Sequence, residues 1–205
     1  MRIITISREF GSGGRELGKR LADLLGFDYY DKEIISSISK NKGIDECYVE
    51  NVLNNQGWKS FPITFRKSFS VLNSVNNLNM DILLEQNKII KEIASLGKDF
   101  VIVGRNADVL LSEEKPFNIF VCADMESKID RCIERANESE GLKRKEIEKN
   151  IINIDKNRAK TREIITDSLW GDPKSYHLVV NTTEWEIKKL AESVKDFVIS
   201  FWENK

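Results

Sequence analysis

Hydrophobic positions along the chain alternate between short dense runs and spaced stripes. Residues 2 to 7, Arg-Ile-Ile-Thr-Ile-Ser, are β-branched and nearly continuous in apolar character, which predicts a strand covered on both faces. A glycine cluster follows, and then Leu17, Leu21, Leu24 and Leu25 recur at helical spacing until Gly26 ends the stripe. Phe27-Asp-Tyr-Tyr30 reads as a second strand that stops at Asp31, and strand ends in such sheets face ligands. Asp99-Phe-Val-Ile-Val-Gly104 and Phe117-Asn-Ile-Phe-Val-Cys122 are two further apolar strands, expected at the centre of the sheet. Tyr176-His-Leu-Val-Val-Asn181 supplies a fifth.

Between the strands the period changes. From Met125 to about Arg162 the chain is charge-dense and helical, with Ile129, Cys132, Ile133 and Ala136 as one stripe before Gly141 interrupts it. Ile187, Leu190, Ala191, Val194, Phe197, Val198 and Phe201 predict an amphipathic closing helix. From about Lys32 to Leu96 the helical pattern is broken by Asn-rich and Gly-containing stretches, too long for a simple crossover, and predicts a mobile helical insertion. Strands alternating with helices over the whole length predict an α/β fold with a parallel sheet and right-handed crossovers.

Composition narrows the function. At 205 residues, with 40% hydrophobic and 32% charged positions and only three prolines, the chain predicts one folded domain, residues 1–205. The net charge of -1, from 32 basic and 33 acidic residues, provides no overall field for nucleic acid or an anionic membrane, so any anion site must be local. Cys47, Cys122 and Cys132 have no metal-site spacing, and His177 is the only histidine. Zinc hydrolysis and Ser-His or Cys-His catalysis are thereby disfavoured; Cys122, Cys132 and His177 are expected in structural places. With no signal-peptide pattern and no window of roughly 18 apolar residues, the expected location is cytoplasmic.

The chemistry concentrates in the glycine cluster. Gly11, Ser12, Gly13 and Gly14 lie between a strand and a helix, where successive N–H groups can converge on a phosphate. The standard phosphate loop, G-x-x-x-x-G-K-[ST], adds a lysine for the outer phosphates and a hydroxyl for Mg²⁺. With Gly13 on its second glycine, Gly14 takes the lysine position and Arg15 the hydroxyl position. A register shifted by one puts Arg15 and Glu16 there instead, with one motif glycine matched. In either register Arg15 is the nearest cation and Arg8 precedes the loop; an arginine can hold phosphate bidentately.

The run Ile6-Ser-Arg-Glu-Phe-Gly-Ser-Gly-Gly-Arg-Glu16 resembles the loop of the cytidylate kinase-like family, a branch of the P-loop nucleoside monophosphate kinases. Tyr30-Asp-Lys-Glu33, Val103-Gly-Arg-Asn-Ala-Asp108, Asp155-Lys-Asn-Arg158 and Trp170-Gly-Asp-Pro173 are similar to further blocks of that family, so the resemblance covers nearly the whole chain. It implies a three-layer α/β/α P-loop NTPase fold. A five-stranded parallel sheet would carry a helical NMP-binding insertion at residues 32–96 and a lid at about 135–150.

The resemblance also implies roles. Arg8, Gly11, Ser12, Gly13, Gly14, Arg15 and Glu16 would bind ATP phosphates, while Arg105 would bind the acceptor phosphate. Asn106 replaces the aspartate that follows this arginine in cytidylate kinases. Asp155 and Arg158 match a pair that contacts the cytosine edge and the nucleotide phosphate; the alternative is an exposed i, i+3 ion pair. Asp31 matches an acceptor-side aspartate, although Lys32-Glu33 departs from the pattern after it. Arg131 and Arg135 resemble lid arginines around the transferred phosphoryl group, the alternative being a solvated helix face; with Arg15 they are the expected catalytic cations. Trp170-Gly-Asp-Pro173 is accounted for as a turn. The implied activity is phosphoryl transfer from ATP, with Mg²⁺, to a nucleoside monophosphate such as CMP. The alternatives are a nucleotide-binding or regulatory module and a kinase of another small acceptor.

Overall fold

A computed structural model describes residues 1–31, 80–135 and 143–204. Five strands, β1 (Ile3–Arg8), β2 (Asp28–Tyr30), β3 (Phe100–Val103), β4 (Phe117–Cys122) and β5 (Leu178–Asn181), form one all-parallel sheet in the order β2-β3-β1-β4-β5. The helices are α1 (Gly14–Leu25), α2 (Met80–Ser95), α3 (Ala107–Leu110), α4 (Met125–Arg135), α5 (Arg144–Ile165) and α6 (Ile187–Glu203), and they cover both sides of the sheet. This is the three-layer P-loop kinase fold. Of the insertion at 32–96, residues 32–79 lie outside the described residues and most of the remainder is α2; of the lid at about 135–150, so do residues 136–142.

The dense apolar runs become strands for the reason their pattern implies. Both faces of β1 are covered, so Ile3, Ile4 and Ile6 are buried along with Thr5 and Ser7. Burying the Thr5 hydroxyl requires a partner, and it donates to Asn118 Oδ1 of the neighbouring β4 at 2.8 Å. β3 and β4 flank β1, with Ile4 in register with Val101 on one side and Phe117 on the other. That order brings the ends of β1 and β3 side by side, where β1 delivers the glycine loop and β3 delivers Gly104-Arg105.

Two helix stripes differ from expectation. Ile129 and Cys132 of α4 pack on Ile147 and Ile151 of α5, but Ile133 is exposed and the buried place one turn before Cys132 belongs to Lys128. A single partner helix buries a seam narrower than the stripe. In α6, Ile187, Ala191, Val194 and Val198 are buried, whereas Phe197 is exposed at the margin.

The structural residues behave as read. His177 Nδ1 accepts the Asn118 backbone N–H at 2.9 Å, and its ring stacks on Phe117. Cys132 is buried, Cys122 is half-buried, and burial raises both thiols. Trp170 meets Phe120 edge-on, and Asp172 caps the short turn that follows by accepting from Lys174 N.

Candidate functional site

Residues 9–13 turn the chain from β1 into α1. The turn needs left-handed backbone at Gly11 (φ 78°) and Gly13 (φ 80°), which a side chain would strain. Gly13 is the N-cap of α1 and offers no side chain to the first-turn N–H groups, leaving the helix start shaped for an anion. Ser12 is turned inward: its hydroxyl donates to Glu9 O at 2.8 Å, and its own carbonyl accepts from the Thr182 hydroxyl at 2.7 Å. In this geometry Ser12 contributes loop shape and backbone rather than a free hydroxyl.

The Asp155–Arg158 pair of α5 reaches the same loop. Arg158 Nη1 lies 3.1 Å from Asp155 Oδ1, so the i, i+3 ion pair does form. It is not a solvated one. Asp155 Oδ1 accepts the Phe10 N–H at 2.8 Å and Arg158 donates to Arg8 O at 2.8 Å, so both side chains grip the loop backbone. Burial raises the Asp155 carboxyl to about 6 against the opposing pull of Arg158. Arg158 is shifted down, first by burial and next by its neighbour Arg8, with Arg105 a further contributor. Arg158 is bound to the Arg8 backbone and the Arg8 guanidinium lies across Gly104, beside Arg105, so all three arginines belong to the region where β1 and β3 end.

Arg105 stands in a turn of consecutive positive φ values: 83° at Gly104, 63° at Arg105 and 50° at Asn106. Non-glycine residues in this region cost about 1 to 3 kcal/mol each and concentrate at functional sites. Below the turn Asp108 is buried against Arg162, Nη1 to Oδ2 at 2.5 Å, which ties α3 to α5.

Arg15, Arg131 and Arg135 are likewise engaged with the protein. Arg15 turns away from the loop to Asp31 at the end of β2, with Nε at 2.8 Å and Nη2 at 2.7 Å. The Tyr29 hydroxyl completes that group at 3.3 Å from Asp31, and burial, then Asp31, raises its proton affinity. Arg131 binds the Thr182 hydroxyl at 3.1 Å and the Thr182 carbonyl, and burial followed by Arg135 shifts it downward. Arg135 pairs with Glu16 of α1, which also accepts from Arg20. Arg15 and Asp31, expected in separate half-sites, are thus one ion pair, while Arg131 and Arg135 bridge α4 to the loop's surroundings.

Two contributors escaped sequence reasoning. Lys128 is buried and its ammonium lies 3.0 Å from Glu9 Oε2, which also accepts the Ala123 N–H. Thr182, fully buried after β5, joins Ser12, Cys122 and Arg131. A lysine on the Ile129/Cys132 face was the available signal for the first; a lone threonine after a strand carries none. No group of three His, Cys, Asp or Glu converges among the described residues, and Arg15 stands at the hydroxyl position. Nor is any helix among the described residues long and apolar enough to cross a membrane.

The fold is that of the P-loop kinases. Residues 3–184 match the model of the cytidylate kinase-like family, and the chain belongs to that family. A crystal structure of an uncharacterized protein from Eubacterium ventriosum is 24% identical over 100% of both chains, with a TM-score of 0.70. Shikimate kinase from Bacteroides thetaiotaomicron is 13% identical, TM-score 0.55, over 96% of this chain and 98% of its own. Shikimate kinase from Acinetobacter baumannii, solved with shikimate, is 13% identical, TM-score 0.52, over 98% and 94%. These likenesses are of fold. No protein of curated function matches the sequence.

Proposed function

We propose that the protein transfers a phosphoryl group from ATP to a nucleoside monophosphate, with a CMP-like acceptor. One observation carries the reading: the glycine loop, Arg8 lying across Gly104 next to Arg105, and Arg158 bound to the loop backbone share the C-terminal ends of adjacent strands. Phosphoryl transfer asks a protein mainly for positioning and charge stabilisation, and this arrangement can supply both. The α1 N-terminus and loop N–H groups hold the donor phosphates, Arg105 takes the acceptor phosphate, and Asp155 faces the base. Mg²⁺ enters with ATP, held by phosphate oxygens and water. Family membership supports a nucleotide kinase, and the Arg105 and Asp155–Arg158 blocks support the acceptor side of the reading.

A second reading, nucleotide binding without transfer, is favoured by the ion pairs on Arg15 and Arg135 and the backbone contacts of Arg131. Purified protein incubated with ATP, Mg²⁺ and each monophosphate in turn separates the two. Nucleoside diphosphate formed fastest from CMP supports the first reading. ATP binding with no turnover on any monophosphate replaces it with the second, and ADP release only with an acceptor such as shikimate moves the acceptor class.

A further inference from the structure

The loop has glycine where the standard motif carries its lysine, and the phosphotransfer reading needs a cation in that place. Counting back from Gly13 as the motif's second glycine puts Arg8 at the first glycine. Two positions have therefore exchanged residue types: glycine has become Arg8, and lysine has become Gly14. In the fold these positions touch. A Cβ added to Gly14 would stand 2.7 Å from Arg8 Cβ, 3.0 Å from its Cγ and 3.2 Å from Val121 Cβ. No lysine fits at 14 while Arg8 is present.

The far end of Arg8 is accommodated in the same way. Its guanidinium lies across Gly104, where an added Cβ would fall 1.8 Å from Nη1 and 2.8 Å from Cζ. Arg8 thus runs from the base of the loop to the turn that carries Arg105, with bare backbone beneath its stem and its head. Its carbonyl is held by Arg158 at 2.8 Å, so its backbone is fixed as well.

We propose that Arg8 is the phosphate cation of this loop, its charge moved from the first residue of α1 to the last residue of β1. Resting on the phosphotransfer reading, the assignment places the guanidinium between the donor phosphates at the α1 N-terminus and the acceptor phosphate at Arg105.

The test is MgATP and tripolyphosphate binding by calorimetry on Arg8→Met, Arg8→Lys and the exchange variant Arg8→Gly with Gly14→Lys. Methionine keeps the aliphatic stem and removes the charge. It is expected to weaken both probes about ten- to a hundredfold, as for a lost charge-assisted contact, with the melting temperature held within a few degrees. Arg8→Lys keeps most of the affinity. Gly14→Lys alone clashes and lowers the melting temperature, and adding Arg8→Gly recovers both stability and binding. Unchanged affinity in Arg8→Met, with the unmodified protein binding and turning over, overturns the assignment of Arg8 alone. An unmodified protein that binds neither probe overturns the phosphotransfer reading with it.

Discussion

Asp155 shows how one side chain can serve structure and titrate near neutrality. Its oxygen holds the Phe10 N–H and Arg158, yet burial dominates and lifts its carboxyl from 3.8 to about 6. The folded protein therefore binds this proton more tightly than the unfolded chain. The stability tied to it is fully present below pH ~4 and is lost as pH rises through about 6, by at most about 3 kcal/mol. Asp155→Asn removes the titration. Denaturant unfolding of both proteins from pH 4 to 8 is expected to show the stability of the parent falling, relative to the variant, as pH rises between 4 and 7. A pH-independent difference would place the carboxyl back in its ordinary range.

At the scale of elements, α4 and α5 both meet the loop. Arg135 of α4 reaches Glu16 of α1 with both side chains partly in water, a setting in which an ion pair contributes about 1 kcal/mol or less. Arg135→Ala is thus expected to move the melting temperature by only a few degrees. A hundredfold or greater loss of diphosphate formation in the same variant would mark a contact with the transferred phosphoryl group; activity falling only with stability would leave Arg135 as a tie between helices. The strands were legible because a buried parallel sheet writes unbroken apolar runs, and all five lie within two residues of their expected bounds. The partners of the cations were not. Arg15 meets Asp31 sixteen residues away, and Arg131 meets Thr182 across fifty-one, pairings set by sheet order rather than by local spacing.

The whole molecule places its chemistry along one edge of the sheet. The ends of β1, β3 and β5 bring the glycine loop, Arg105 and Thr182 together, and α5 spans from the loop to the buried Asp108–Arg162 pair. A ligand bound here touches several elements at once and stabilises the fold by mass action. MgATP at a hundred times its dissociation constant is expected to add about 2.7 kcal/mol, raising the melting temperature by roughly 5 to 10 °C. A flat thermal-shift titration to millimolar MgATP would contradict that.

The grip of Asp155 and Arg158 on the backbone of Phe10 and Arg8 bears on the order of events. An acceptor that recruits these two side chains asks the loop to surrender two of its internal bonds, while donor phosphates offer the same loop new partners. Whichever substrate arrives first does the work of loosening that grip, and the second finds it loosened. Under the phosphotransfer reading, each substrate would then tighten the binding of the other by an equal factor.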